Sequence, residues 1–281
     1  MKLHSEVAGA GAGLVLLHEG ICDSRMWDTQ WERFTRSYRV LRFDFRGYGN
    51  SPIEPGAYAS ARDALDLMDR HGLDRAAIVG VSLGGRVALE VALAAPERVS
   101  ALVLVGSGLP GHDWDEEMKA AWQEEEAALR AGDVHRAVEF SLRTWVDGPR
   151  RGPEDVDADV RARVAEMQRR AYELWLPVAD AEDEEELLVE DVAGRLGEID
   201  APTLVLVGEE DVPDIQAIAD KLAREIPGAR FEKIANTAHV PSMEPTGSCS
   251  ASWKRSREHG RSRRAGRADL GARRHALDGR G

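Results

Sequence analysis

The stretch Gly80-Val81-Ser82-Leu83-Gly84 constrains this chain more than any other. Before it, Ala76-Ala77-Ile78-Val79 is a short apolar run that reads as a buried strand. After it, residues 84–95 carry Val87, Ala88, Leu89, Val91, Ala92 and Leu93, which reads as a buried helix. A strand that becomes a helix within so few residues must turn a sharp corner. Glycines on either side of Ser82 let the chain pass close to itself there and hold the hydroxyl clear of the backbone. The helix N-terminus behind the corner offers backbone N–H groups to an anion that forms nearby.

Other apolar runs repeat the rhythm. Leu14-Val15-Leu16-Leu17 ends in a loop at His18, and residues 39–44 form a second strand candidate closed by Arg46-Gly47-Tyr48-Gly49. Residues 61–71 have helical spacing, 101–105 and 203–207 read as buried strands, 214–226 as a helix and 230–234 as the last strand. Strands alternating with helices predict an α/β fold, a mostly parallel central sheet with helices on both faces. Gly9-Ala10-Gly11-Ala12-Gly13 precedes a strand instead of following one, the wrong order for a dinucleotide site, and reads as a flexible turn.

Between residues 107 and 198 the alternation stops. This stretch is rich in Glu, Ala and Arg, and it holds Trp114, Trp122, Trp145 and Trp175, four of the seven tryptophans. It reads as a helical cap inserted between two parts of the core, 1–106 and 199–245, with aromatic surface that packs on the core or lines a pocket. The acidic run at 182–186 reads as a solvated face.

With 281 residues and 43% hydrophobic side chains, the chain can bury a sizeable core. No apolar run approaches the roughly 18 residues of a membrane span. The first residues lack the basic and apolar regions of a signal peptide. Cys22 and Cys249 form neither a disulfide framework nor a metal-ligand spacing. A cytoplasmic protein is the expectation. The net charge of −13 hides an asymmetry: from Thr246 onward there are ten basic and three acidic residues, so the body before it is strongly acidic. An acidic body argues against nucleic acid as a partner of the main domain and leaves a small molecule as the expected one.

A serine hydroxyl is a poor nucleophile near neutral pH. It needs a neighbouring base, and that base needs an orienting carboxylate. Asp211 follows the 203–207 strand and His239 follows the last strand, so both belong at strand carboxyl ends, where sites form in open parallel sheets. The expected roles are Ser82 as nucleophile, His239 as base and Asp211 as its partner, with adjacent Glu210 and nearby Asp214 as alternative acids. The Leu83 N–H supplies one oxyanion donor, and Gly20 or Ile21 in the loop after His18 supplies the other. His18 is expected to close that loop, and Asp44 and Arg46 to organise loops. Activity is expected to rise with pH as His239 loses its proton near the ordinary histidine value of about 6.5.

Five segments together resemble the α/β-hydrolase superfamily: Leu16-Leu17-His18-Glu19-Gly20, residues 44–51, the serine corner, residues 208–211 and residues 239–245. The resemblance implies an esterase, lipase or related hydrolase with a helical cap, no metal and no cofactor. It also admits C–C bond hydrolases and enol-lactonases with the same three residues, and serine at position 82 disfavours the branches that use aspartate there. A non-catalytic ligand-binding member of the fold is the alternative from outside enzymology. Glu19 stands where the family carries glycine. Family members also continue after the histidine loop into an amphipathic helix, whereas residues 246–281 are rich in Arg, Gly, Ser and Ala with no apolar stripe. A tail of that composition is expected to be disordered, and a shift of reading frame near Thr246 would account for the abrupt change.

Overall fold

The computed structural model describes residues 2–54, 56–178 and 185–244. In chain order, β1 (Ser5–Ala8), β2 (Ala12–Leu17), α1 (Asp28–Thr35), β3 (Tyr38–Phe43), α2 (Ser60–Arg70), β4 (Ala76–Val81), α3 (Leu83–Ala94) and β5 (Val99–Val105) come first. They are followed by α4 (Glu116–Arg130), α5 (Val134–Ser141), α6 (Ala158–Trp175), β6 (Thr203–Gly208), α7 (Pro213–Glu225) and β7 (Arg230–Ile234). The strands form one sheet in the order β1-β3-β2-β4-β5-β6-β7. β1 runs antiparallel to β3, and all the other pairings are parallel. Every residue of β4 and β6 is buried, so the sheet centre is covered on both faces and its sequences read as unbroken apolar runs.

Two elements do not announce themselves in the sequence. Ser5–Ala8 is too short and polar to read as a strand, yet it pairs from Ser5 opposite Phe43 to Ala8 opposite Val40. An edge strand needs little beyond backbone hydrogen bonds from its one neighbour, so its side chains carry a weak signal. α1 buries only Phe34 and carries just two large apolar side chains, Trp31 and Phe34, in a helix of eight residues. The glycine-rich stretch makes the turn between β1 and β2, with positive φ at Gly9 and Gly11, and its last two residues enter β2.

Between β5 and β6 the described residues form helices and no strand. Three of these helices start on an aspartate cap. Asp115, Asp133 and Asp157 accept from the N–H groups of Met118, Arg136 and Asp159 at 2.8, 3.0 and 2.9 Å. A π-helical turn, Leu142–Asp147, follows α5. In the acidic run read as solvated, Glu185 and Glu186 are exposed, and Glu185 is engaged as well: its Oε1 accepts from Ser60 Oγ and an Arg86 N–H, both at 2.5 Å, and it bridges to Tyr58. A local count of charges could not foresee partners more than ninety positions away. The rest of that run through Glu184 lies outside the described residues, as do Pro245 and the basic tail.

Because β2, β4, β5, β6 and β7 are parallel, their carboxyl ends share one edge of the sheet. The loops at that edge carry Gly20, Ser82, Gly106, Asp211 and His239.

Candidate active site

Ser82 sits at the corner between β4 and α3 with φ 49° and ψ −110°. Among the described residues only Asp191 and Asn236 share its positive φ without being glycine. Such a backbone is strained and persists only where its surroundings hold it. Here the Ser82 N–H donates to Val105 O, and Ser82 O accepts from the amides of Arg86 and Gly108, each at 3.0 Å. The flanking glycines are dictated by close approach. A Cβ on Gly80 would lie 2.2 Å from Gly84 O, and one on Gly84 would lie 2.6 Å from Leu17 O. The Gly84 N–H donates to His18 O at 3.0 Å, which ties the corner to the loop after β2. A Cβ on Gly20 would lie 3.9 Å from Leu83 Cβ, so Gly20 and Leu83 adjoin.

His18 is fully buried and fixes that loop. Its Nδ1 lies 2.7 Å from Glu19 O and its Nε2 lies 2.9 Å from the Phe45 N–H. A carbonyl only accepts and an amide N–H only donates, so the proton is on Nδ1. Burial lowers the pKa of this imidazole, against the opposing pull of Asp44, and favours the neutral ring that both contacts require. Asp44 accepts from the amides of Ser24 at 2.8 Å and Asn50 at 2.9 Å, and Arg46 pairs with Asp63 at 2.6 Å. All three are the loop organisers the sequence suggested.

His239 is buried in the loop after β7, and its amide donates to Trp145 O at 3.1 Å. Its Nδ1 lies 2.9 Å from Asp211 Oδ2 and 3.2 Å from Oδ1. Asp211 Oδ1 also accepts from the Val212 amide at 2.9 Å. The other two acids are engaged elsewhere: Glu210 with Arg150 at 2.8 Å, and Asp214 with His112 at 2.7 Å. Burial is the largest single influence on His239 and lowers its pKa. The charge and hydrogen bond of Asp211, with the charge of Glu19, outweigh it and leave the imidazole above its ordinary value. This corrects the sequence expectation of a midpoint near 6.5, which ignored the carboxylates around the ring. His239 Nε2 is buried and has no hydrogen-bond partner.

His239 lines a cavity of about 210 Å³. The core side of the wall is Glu19, Gly20, Ile21, Ser82 and His239, so five of the residues singled out or quoted from the sequence meet there. The helices between β5 and β6 complete it with Trp122, Glu125, Trp145, Gln168, Tyr172 and Trp175. Trp145 packs on the His239 ring at 4.6 Å between centroids, and Trp114 backs Trp122 at 5.0 Å. A larger cleft of about 340 Å³ is lined by charged groups such as Arg25, Glu166 and Arg169, and none of the candidate residues faces it.

Glu125, Gln168 and Tyr172 escaped the sequence reading, which singles out the tryptophans beside them. Gln168, Tyr172 and Trp175 share one face of α6 by their i, i+4, i+7 spacing, and Trp122 and Glu125 are three apart on α4; that periodicity was the available signal. Glu19 is the larger surprise. It replaces the family glycine without taking a positive φ, and it is fully buried. Its Oε1 accepts from the Cys22 thiol at 2.9 Å, and its Oε2 has no partner. Burial pushes its pKa up to about 7, against the opposing influence of His239 and Cys22. Among the described residues no three His, Cys, Asp or Glu side chains are grouped to hold a metal ion, and no helix is long and apolar enough to cross a membrane.

The profile of the alpha/beta hydrolase fold matches residues 13–246. The chain is 30% identical over 252 residues to a pimeloyl-[acyl-carrier protein] methyl ester esterase of Nitrosomonas europaea, covering 85% of this chain and 93% of that enzyme. It is 28% identical to a 2-hydroxy-6-oxo-6-phenylhexa-2,4-dienoate hydrolase of Burkholderia cepacia, covering 86% of each. Among solved structures, a thermophilic esterase from Thermogutta terrifontis superposes with a TM-score of 0.74 at 26% identity, over 91% of this chain and 93% of that one.

Proposed function

The chain belongs to the alpha/beta hydrolase fold family, and from that premise we propose that it is a serine hydrolase that cleaves a small ester, thioester or lactone through an acyl-enzyme. Ser82 Oγ attacks the carbonyl carbon while His239 Nε2 takes its proton. Asp211 holds the ring with its proton on Nδ1 and balances the imidazolium that forms. The oxyanion is met by the amides of Leu83 and of Gly20 or Ile21. Leu83 opens α3, where a first-turn N–H has no acceptor within the helix. His239 returns the proton to the leaving alcohol, thiol or lactone oxygen, and water then releases the acid by the same steps in reverse order.

The observation that carries this reading is that Ser82 and His239 line one cavity, with His239 Nε2 buried and unpartnered and the opposite ring nitrogen tied to Asp211. Residues 107–198 serve as the cap, since their helices supply the far wall of that cavity. The acidic body speaks for a small-molecule partner over nucleic acid, and the cysteine usage for the cytoplasm. The test is intact-mass spectrometry after treatment with a fluorophosphonate, beside turnover of an activated ester. One phosphonyl adduct on the wild-type chain and none on Ser82→Ala, with turnover lost in the variant, is the expected result. An unlabelled wild-type chain, or unchanged turnover in Ser82→Ala, rejects the reading in favour of a binding protein.

A further inference from the structure

We propose that this cavity selects substrates whose pocket-bound group is a cation of the alkylammonium class and turns away those that carry a carboxylate, an inference that rests on the hydrolase reading above. Two carboxyl groups, Glu19 and Glu125, line the cavity, and no lysine or arginine does.

The two hydroxyl groups on the cap side, those of Tyr172 and Ser141, are engaged with one another and with Glu125. The Tyr172 hydroxyl donates to Glu125 Oε1, and the Ser141 hydroxyl has the same oxygen at 3.1 Å and the Tyr172 oxygen at 2.9 Å as acceptors for its one proton. With that proton engaged by either oxygen, Ser141 Oγ accepts from Gln168 Nε2 at 3.4 Å, which sets the orientation of that amide. Gln168 Oε1 is thereby left buried with no partner, on a residue only 4% exposed. A buried acceptor without a donor is costly until a ligand supplies one.

Charge adds direction. Both hydrogen bonds to Glu125 fall on Oε1, and Glu125 enters no ion pair among the described residues. A half-buried carboxylate without a counter-charge favours a cation beside it and repels an anion. The remaining cap wall is aromatic: Trp122, Trp145 and Trp175 present the ring type that attracts quaternary ammonium groups most strongly. A substrate carboxylate placed against Glu125 and Gln168 Oε1 would meet a like charge and an acceptor.

The test compares two isosteric alcohols, choline and 3,3-dimethylbutan-1-ol, bound to the wild-type protein by calorimetry, and then their esters of one acid in kcat/KM. Choline is expected to bind at least fivefold more tightly than its neutral twin, with the same order in turnover. In Glu125→Gln the ratio should fall to near one, whatever the change in the rates common to both. Trp122→Leu, at a surface-facing position, should lower the ratio as well. Equal binding of the two alcohols by the wild-type protein, or an unchanged ratio in Glu125→Gln, overturns the proposal. Because binding is read without hydrolysis, the two readings fail separately. A choline preference with no labelling of Ser82 upholds the cation site and rejects the hydrolase; labelling with no preference does the reverse.

Discussion

His239 Nδ1 and Asp211 Oδ2 meet at 2.9 Å with side chains 2% and 1% exposed, although 28 positions separate the two residues. The contact leaves Nε2 as the only ring nitrogen without a hydrogen-bond partner, on a residue that lines the cavity with Ser82. It also raises the basicity of that nitrogen, since an imidazolium formed there lies beside a buried carboxylate.

The first consequence is a pH profile. His239 must be neutral to accept the serine proton, and its pKa lies above 6.5. Activity is therefore full above that raised value and falls as the pH drops through it. For an uncharged ester, kcat/KM should show an acidic limb with its midpoint above 6.5. A midpoint at or below 6.5 contradicts the influence assigned to Asp211.

Asp211→Asn should lower kcat by about 10⁴-fold, because an amide favours the ring tautomer with its proton on Nε2, which cannot act as a base. What activity remains should show its acidic limb shifted to lower pH, as the carboxylate that raises His239 is gone. Glu210→Gln should change kcat by less than about twofold, since Glu210 pairs with Arg150. Steady-state kinetics of the two variants side by side discriminates the acids.

Glu19 sets a stability signature. Its folded pKa of about 7 lies above the ordinary value of 4.5, so the folded chain holds this proton more tightly than the unfolded one. Stability is thus lost as the pH climbs from 4.5 through about 7. Glu19→Gln carries no such penalty. Between about pH 5 and about pH 8.5 the variant should gain on the wild type by about 2 kcal/mol. Urea unfolding at the two pH values measures the difference, and parallel pH dependence in both proteins would contradict it.

Gly80→Ala places a methyl group 2.2 Å from Gly84 O, a backbone atom that cannot swing aside. The substitution should destabilise the chain by about 3 kcal/mol and slow phosphonylation of Ser82. Gly197→Ala is the control: nothing lies within 4 Å of the added carbon, and the expected change is within about 0.5 kcal/mol. Denaturation midpoints of both variants test the contrast.

Much of this was legible along the chain because it is local. An apolar strand, a glycine-bracketed serine and an apolar helix leave few ways to turn the corner, and the positive φ at Ser82 is the outcome of that squeeze. Ser82, Asp211 and His239 follow β4, β6 and β7, and strand ends of a parallel sheet must gather on one edge. The edge strand Ser5–Ala8 was illegible because its pairing is made by backbone atoms common to every sequence.

Sequence alone determined the fold class and placed Ser82, Asp211 and His239 after strands of one sheet, since apolar period, turn chemistry and chain order act over short distances. Tertiary structure alone decided which of three neighbouring acids meets His239, that Glu19 is buried beside it, and that the helices after β5 close the cavity with acceptors and indole rings. Those outcomes depend on desolvation and charge between residues far apart in the chain, and such energies exist only once the elements have packed.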